Sequence, residues 1–133
     1  MITATPFRMF QNAMARPALQ YYAAMLPDCH IDPLVLVPYG EPGAGTVRMA
    51  GLVIGTQRFR VIDSAIPHAF AFTPSLSIFL DIDDAAVFDV VFRALAEGGS
   101  TLMEAGDYGF SRRFGWVNDR FGVSWQINLP HPA

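Results

Sequence analysis

The sequence predicts an α+β fold made of two βαβββ modules that pair into a cupped, half-open barrel with the helices outside. Three observations lead there. Several stretches alternate apolar and polar residues with period two, which marks strands, and two stretches repeat apolar residues with helical spacing. The order strand, helix, three strands occurs twice along the 133 residues. Each module alone would leave one face of a four-stranded sheet uncovered, and pairing the modules creates a cup suited to a ligand.

In the first half, TPFRMF (5–10) reads as a short strand. The stretch NAMARPALQYYAAMLPD follows as a helix that starts near Arg16, with Pro17 in its first turn. Leu19, Tyr22 and Leu26 form its apolar stripe, with Ala18 and Met25 beside it, and Pro27-Asp28 stops it. HIDPLVLVPYG is a strand whose prolines suit a sheet edge. GEPGAG (40–45) is a flexible turn; a strand follows it rather than a helix, so a phosphate loop is not expected. TVRMAGLVI and QRFRVIDS complete the module as two strands joined at Gly55-Thr56. This module spans about 1–66.

The second module spans about 74–130. SLSIFLDI (75–82) is its first strand, with Leu76, Ile78, Leu80 and Ile82 on one face and Ser77, Phe79 and Asp81 on the other. DDAAVFDVVFRALAEGG is the strongest helix, with a stripe of Val87, Phe88, Val91, Phe92 and Leu95. An Asp at 83 or 84 can cap its start and Gly98-Gly99 ends it. Strands near 101–105, 109–118 and 123–129 follow, the last two joined by a turn at Asn118–Gly122. The final strand alternates without a slip. Val123, Trp125, Ile127 and Leu129 are apolar, whereas Ser124, Gln126 and Asn128 are polar, so the second set should look into the cup.

Composition excludes several classes of function. Hydrophobic residues make up 52% and charged residues 16%, which favours a large buried interior over disorder. A net charge of −3 with one adjacent basic pair, Arg112-Arg113, argues against a nucleic-acid surface. A single cysteine, Cys29, rules out an internal disulfide and a cysteine-based zinc site. No apolar run is long enough for a membrane span, and MITATPFRMF lacks the basic and apolar regions of a signal peptide, so a cytoplasmic location is expected.

Three stretches carry a resemblance: ITATPFRMF, FRVIDSAIPHAFAFTPSLSIFL and GWVNDRFGVSWQINLP. In order and spacing the chain resembles the vicinal oxygen chelate superfamily of glyoxalase, bleomycin-resistance and extradiol dioxygenase folds. Within it the chain is most similar to the PhnB-like group often described as 3-demethylubiquinone-9 3-methyltransferase. The resemblance implies a homodimer. It also implies that strand residues meeting in the cup would hold a divalent metal in the metal-dependent members. The matching positions here are Thr5, Ser77, Gln126 and one near Ile62, none of them His or carboxylate, so the usual metal site is expected to be absent, with no cofactor. Two departures from the group stand out: Arg8 replaces an apolar residue, and Arg113-Phe114 precede Gly-Trp where a Pro-Cys pair is common. A methyltransferase activity is not expected, because the chain lacks the strand, glycine-rich turn and helix that such sheets offer their cofactor.

The candidate ligand-binding residues are therefore Arg8, Asp63, His68, Ser77, Phe79, Trp116 and Gln126. Gln126 can offer both donors and an acceptor. Asp63 in IDSAIPHAF suits a turn that accepts backbone hydrogens as well as a site. Arg8 either reaches the cup, where it could hold a carboxylate or enolate, or snorkels to the sheet end or pairs with a nearby Asp. Asp63, His68, Asp81 and Glu104 are the polar residues nearest the expected cup, and none has a partner at a spacing that defines a dyad. The expected function is the binding of a small organic molecule without the usual metal. The alternative is a lyase, isomerase or dioxygenase-like enzyme with substitute ligands such as Asp63 and His68. A purely interfacial role, with Phe and Tyr filling the cup, is the third.

Overall fold

Strand, helix and three strands recur in the computed structural model, which describes residues 1–133 and divides into two units, Met1–Ala69 and Phe70–Ala133. The first unit contains β1 (Phe7–Phe10), α1 (Ala15–Met25), β2 (Cys29–Leu36), β3 (Val47–Ile54) and β4 (Gln57–Asp63). Its sheet order is β1-β4-β3-β2, with β1 parallel to β4 and the other pairs antiparallel. Helix α1 buries Ala15, Ala18, Leu19 and Tyr22. Phe10, Val47, Ala50, Leu52, Phe59 and Val61 are the buried apolar residues of the sheet. Pro33 lies on the edge strand β2, within the register shift between Ile31 and Leu34, where a missing N–H costs no ladder bond.

The start of α1 is held from a distance. Its N-cap residue, Met14, supplies no side-chain acceptor. Instead Asp63, at the end of β4, accepts from Ala15 N at 2.9 Å through Oδ1 and from Val47 N at 2.8 Å through Oδ2. A carboxylate at a helix N-terminus satisfies an otherwise orphaned donor and complements the helix dipole.

The second unit contains β5 (Ser77–Asp81), α2 (Ala85–Ala96), β6 (Ser100–Gly106), β7 (Arg113–Asn118) and β8 (Ser124–Leu129), in the sheet order β5-β8-β7-β6. Again the first and last strands pair in parallel and the other pairs are antiparallel. Asp84 caps α2 by accepting from Val87 N at 3.0 Å, and Gly98, at φ 76°, carries the chain away from its end. Phe88, Val91 and Leu95 are the buried residues of α2, and Val117, Trp125 and Ile127 of β7 and β8 have no exposed surface. Each such large side chain contributes about 1.5–3 kcal/mol by leaving water. Close helix–sheet approach requires Gly115, because a Cβ there would collide with the Phe92 ring.

The β7–β8 turn is organised by one carboxylate. Asp119, 3% exposed, accepts from Phe121 N at 2.8 Å and Val123 N at 3.1 Å through Oδ1, and from Trp125 Nε1 at 2.8 Å through Oδ2. Turn and core are thereby tied by one side chain.

Some boundaries differ from the sequence reading. The strand expected over 109–118 begins only at Arg113, because residues before it form a loop in which Asp107 Oδ1 accepts from Gly109 N and Gly109 takes φ 95°. Leu76, expected within the strand over 75–82, precedes β5 and is 62% exposed. The first strand starts at Phe7 rather than Thr5; Pro6, which has no N–H, contributes only its carbonyl, to Arg60 N.

Candidate functional site

Strand register builds a candidate site on the face of the second unit's sheet that looks away from α2. Across β5, β8 and β7 the paired residues form three rows: Ser77, Ser124 and Asn118; Phe79, Gln126 and Trp116; Asp81, Asn128 and Phe114. Directly paired residues share a face, and the neighbouring positions carry Trp125 and Ile127 to the opposite side. The polar side of GVSWQINLP therefore belongs to this face.

A hydrogen-bond chain runs from Trp116 of the second row into the first, where Asn118 Oδ1 has no donor. Trp116 Nε1 donates to Ser124 Oγ at 2.8 Å, Ser124 and Ser77 hydroxyls lie 2.8 Å apart, and Ser77 Oγ donates to Pro74 O at 3.2 Å. Ser124 is 1% exposed, so this chain satisfies a polar group that burial would otherwise penalise. At the other end, Asn128 Nδ2 donates to Asp81 Oδ1 at 2.9 Å, while the buried Asn128 Oδ1 has no donor. The Asp81 carboxylate accepts only, which fixes the orientation of the Asn128 amide. Gln126, between these two ends, is half-buried, and its amide is engaged by no other group.

An aromatic cluster adjoins these rows. Phe114, 5% exposed, stacks on Phe79 with ring centroids 6.1 Å apart and meets Phe110 and Tyr108 edge-on at 5.1 and 6.1 Å. Phe79, Phe110 and Tyr108 are 50%, 58% and 45% exposed, respectively. The Tyr108 hydroxyl donates to Glu104 O at 2.6 Å, which fixes the loop carrying both exposed rings of that segment. Tyr108, Phe110 and Phe114 were not among the sequence candidates. The crowding of aromatics in DYGFSRRFGW was the available signal; Phe114 lies on β7, but extended-strand parity could not place Tyr108 and Phe110, which sit in a loop.

Four of the seven sequence candidates, Ser77, Phe79, Trp116 and Gln126, thus share one face. The other three lie in the first unit and are differently employed. Asp63 has both oxygens bonded to backbone N–H groups, so it acts as a brace for α1 and β3. The backbone of His68 donates to Gln11 Oε1 at 2.8 Å, and its Nε2 lies 2.9 Å from Ser64 Oγ. Arg8 is in register with Val61, shares the side of buried Phe10 and is 9% exposed, so it points away from the face of Phe7 and Met9. Glu104, expected near the cup, instead lines an open groove beside α2 with Asp89, Arg93 and Glu97.

The donor set does not fit the divalent ion of the metal-dependent folds. Thr5, Ser77 and Gln126 offer two hydroxyls and an amide, Ser77 is already bonded within the protein, and near Ile62 the one carboxylate, Asp63, already accepts from two backbone N–H groups. No group of three His, Cys, Asp or Glu side chains is placed to hold a metal.

Similar proteins give the arrangement its context. The family described as 3-demethylubiquinone-9 3-methyltransferase matches residues 3–128. A Bacillus cereus PhnB protein bearing the same methyltransferase description is 37% identical, with a TM-score of 0.89 over 96% of this chain and 99% of that one. Protein PA1353 of Pseudomonas aeruginosa is 27% identical, with a TM-score of 0.81 over 98% and 100% of the two chains. A glyoxylase/bleomycin resistance protein/dioxygenase domain from Frankia shares the fold at 13% identity, with a TM-score of 0.67 over 98% of each chain. No curated protein matches at a comparable level of significance. The chain belongs to the PhnB-like 3-demethylubiquinone-9 3-methyltransferase family and has the fold of the glyoxalase, bleomycin-resistance and dioxygenase superfamily.

Proposed function

We propose that the protein binds a small organic molecule on the second unit's sheet face, without a metal or other cofactor, as a cytoplasmic homodimer. The observation that carries this reading is the unengaged amide of Gln126 set beside exposed Phe79 and the Phe114-centred cluster. Small-molecule sites commonly combine aromatic surface with a few placed polar groups. The hydrogen-bonded rows on either side of Gln126 hold that surface in shape.

Methyl transfer, which the family description names, finds less support. Each sheet has three of its four strands running antiparallel in succession, and neither offers a glycine-rich turn that leads from a parallel strand into a helix. The enzyme alternative that recruits Asp63 as a metal ligand is weakened by the two backbone bonds its carboxylate already makes.

A thermal-shift screen of small aromatic compounds, repeated with Gln126→Ala and Phe79→Ala, tests the proposal. Ligands that raise the wild-type melting temperature should lose that effect in both variants. A screen without hits, or hits indifferent to both substitutions, would refute it. Native mass spectrometry of the same protein reports subunit number and any stoichiometric metal.

A further inference from the structure

We propose that this face selects an organic cation, a flat aromatic body with a positive charge at one end; this rests on the reading of the face as a binding site. The first support is Asp81. Its carboxylate is exposed, its Oδ1 is held by Asn128 Nδ2 at 2.9 Å, and no arginine pairs with it. It stands two residues from Phe79 on the same side of β5, about 7 Å along the strand. A ring lying over Phe79 and Phe110 would bring a terminal charge to Asp81.

The second support is the distribution of charge. Residues 70–133 carry eight carboxylates and four arginines, and no lysine occurs anywhere in the chain. None of the four arginines occupies the three rows of the site. Arg113 pairs with Asp89 of α2 and lies over the Phe88 ring on the opposite side, and Arg112 donates to the Pro130 and Asp83 carbonyls. Arg93 belongs to the groove beside α2, and Arg120 packs by Gly98. The third support is the rings themselves, whose faces attract cations. Carboxylate, aromatic faces and three rows without an arginine all favour a positive ligand and disfavour an anion.

Fluorescence titration of the full chain with three dyes tests this: cationic thioflavin T, neutral N-phenyl-1-naphthylamine and anionic 1-anilinonaphthalene-8-sulfonate. Thioflavin T should saturate at one site per chain and bind more tightly than the anion. Asp81→Asn should weaken it about fivefold, the effect of one partly solvated charge, and leave the neutral dye within about twofold. Asp81→Glu should retain the preference for the cation, and Phe79→Ala should weaken both cationic and neutral dyes. Unchanged thioflavin T affinity in Asp81→Asn, with Phe79→Ala still weakening both, would overturn the cation selectivity alone. No saturable binding, or indifference to Phe79→Ala, would overturn the binding face as well. Melting curves of the variants separate these results from misfolding.

Discussion

Replacing Asp119 with Ala removes the acceptor for Phe121 N, Val123 N and Trp125 Nε1 together. Trp125 is wholly buried and Val123 is 2% exposed, so their N–H groups cannot recover a water partner without a local opening. Each stranded buried donor costs about 1–3 kcal/mol, whereas the more accessible Phe121 N can rehydrate; two such donors sum to about 2–6 kcal/mol. Against a total stability of about 5–15 kcal/mol this is a large fraction, and it should lower the melting temperature by about 10–15 °C. Asp119→Asn separates the contributions. Its amide oxygen can still serve the two backbone donors, but its NH2 then faces the indole N–H, so it should lose about half as much. In a Trp125→Phe background, that Asn penalty should shrink by about 1–2 kcal/mol, because the opposing donor is gone. Urea unfolding followed by circular dichroism measures the wild type, the three single variants and the double variant. Equal losses below about 1 kcal/mol for Asp119→Ala and Asp119→Asn, with no coupling to residue 125, would refute the assignment of this carboxylate as the tie between turn and core.

Other outcomes follow from the same kind of reasoning. Asp63→Ala should cost about 2–3 kcal/mol and speed amide exchange at Ala15 and Val47, while leaving dye binding on the second unit unchanged. Gly115→Ala should destabilise by about 1–3 kcal/mol in chemical denaturation, because the new methyl meets the Phe92 ring. Adding Phe92→Leu should recover part of that loss; a larger loss in the double variant would contradict the packing account. Burial pushes the Cys29 thiol up from 9.0 to about 11. Only the thiolate reacts, so at pH 8 labelling by iodoacetamide should run about a hundredfold slower than for an ordinary cysteine and accelerate until the pH approaches that value. Labelling at the ordinary rate at pH 8 would contradict the raised value.

The aromatic site was only partly legible in advance. Strand parity groups Ser77 with Phe79 and Gln126 with Asn128, because alternation is a local property of an extended chain, and the register of the two strands puts both pairs on one side. Parity also separates Arg8 from Phe7 and Met9, but parity alone does not say which side a helix covers; the placement of α1 decides that. Asp63 could be read as either a turn acceptor or a ligand. Its partners, Ala15 and Val47, lie 48 and 16 residues away, and their positions depend on the folded sheet.

By itself the sequence determined the element order, the helix stripes, the Asp84 cap and the two-sided character of the last strand. All of these follow from spacing along the backbone and from side-chain chemistry within a few residues. Only the tertiary structure decided that Asp119 binds the Trp125 indole, that Asn128 holds Asp81, and that a loop brings Tyr108 and Phe110 against Phe114. Those contacts join separate segments or depend on a loop path without periodicity, and burial then fixes which partner each polar group or ring can reach.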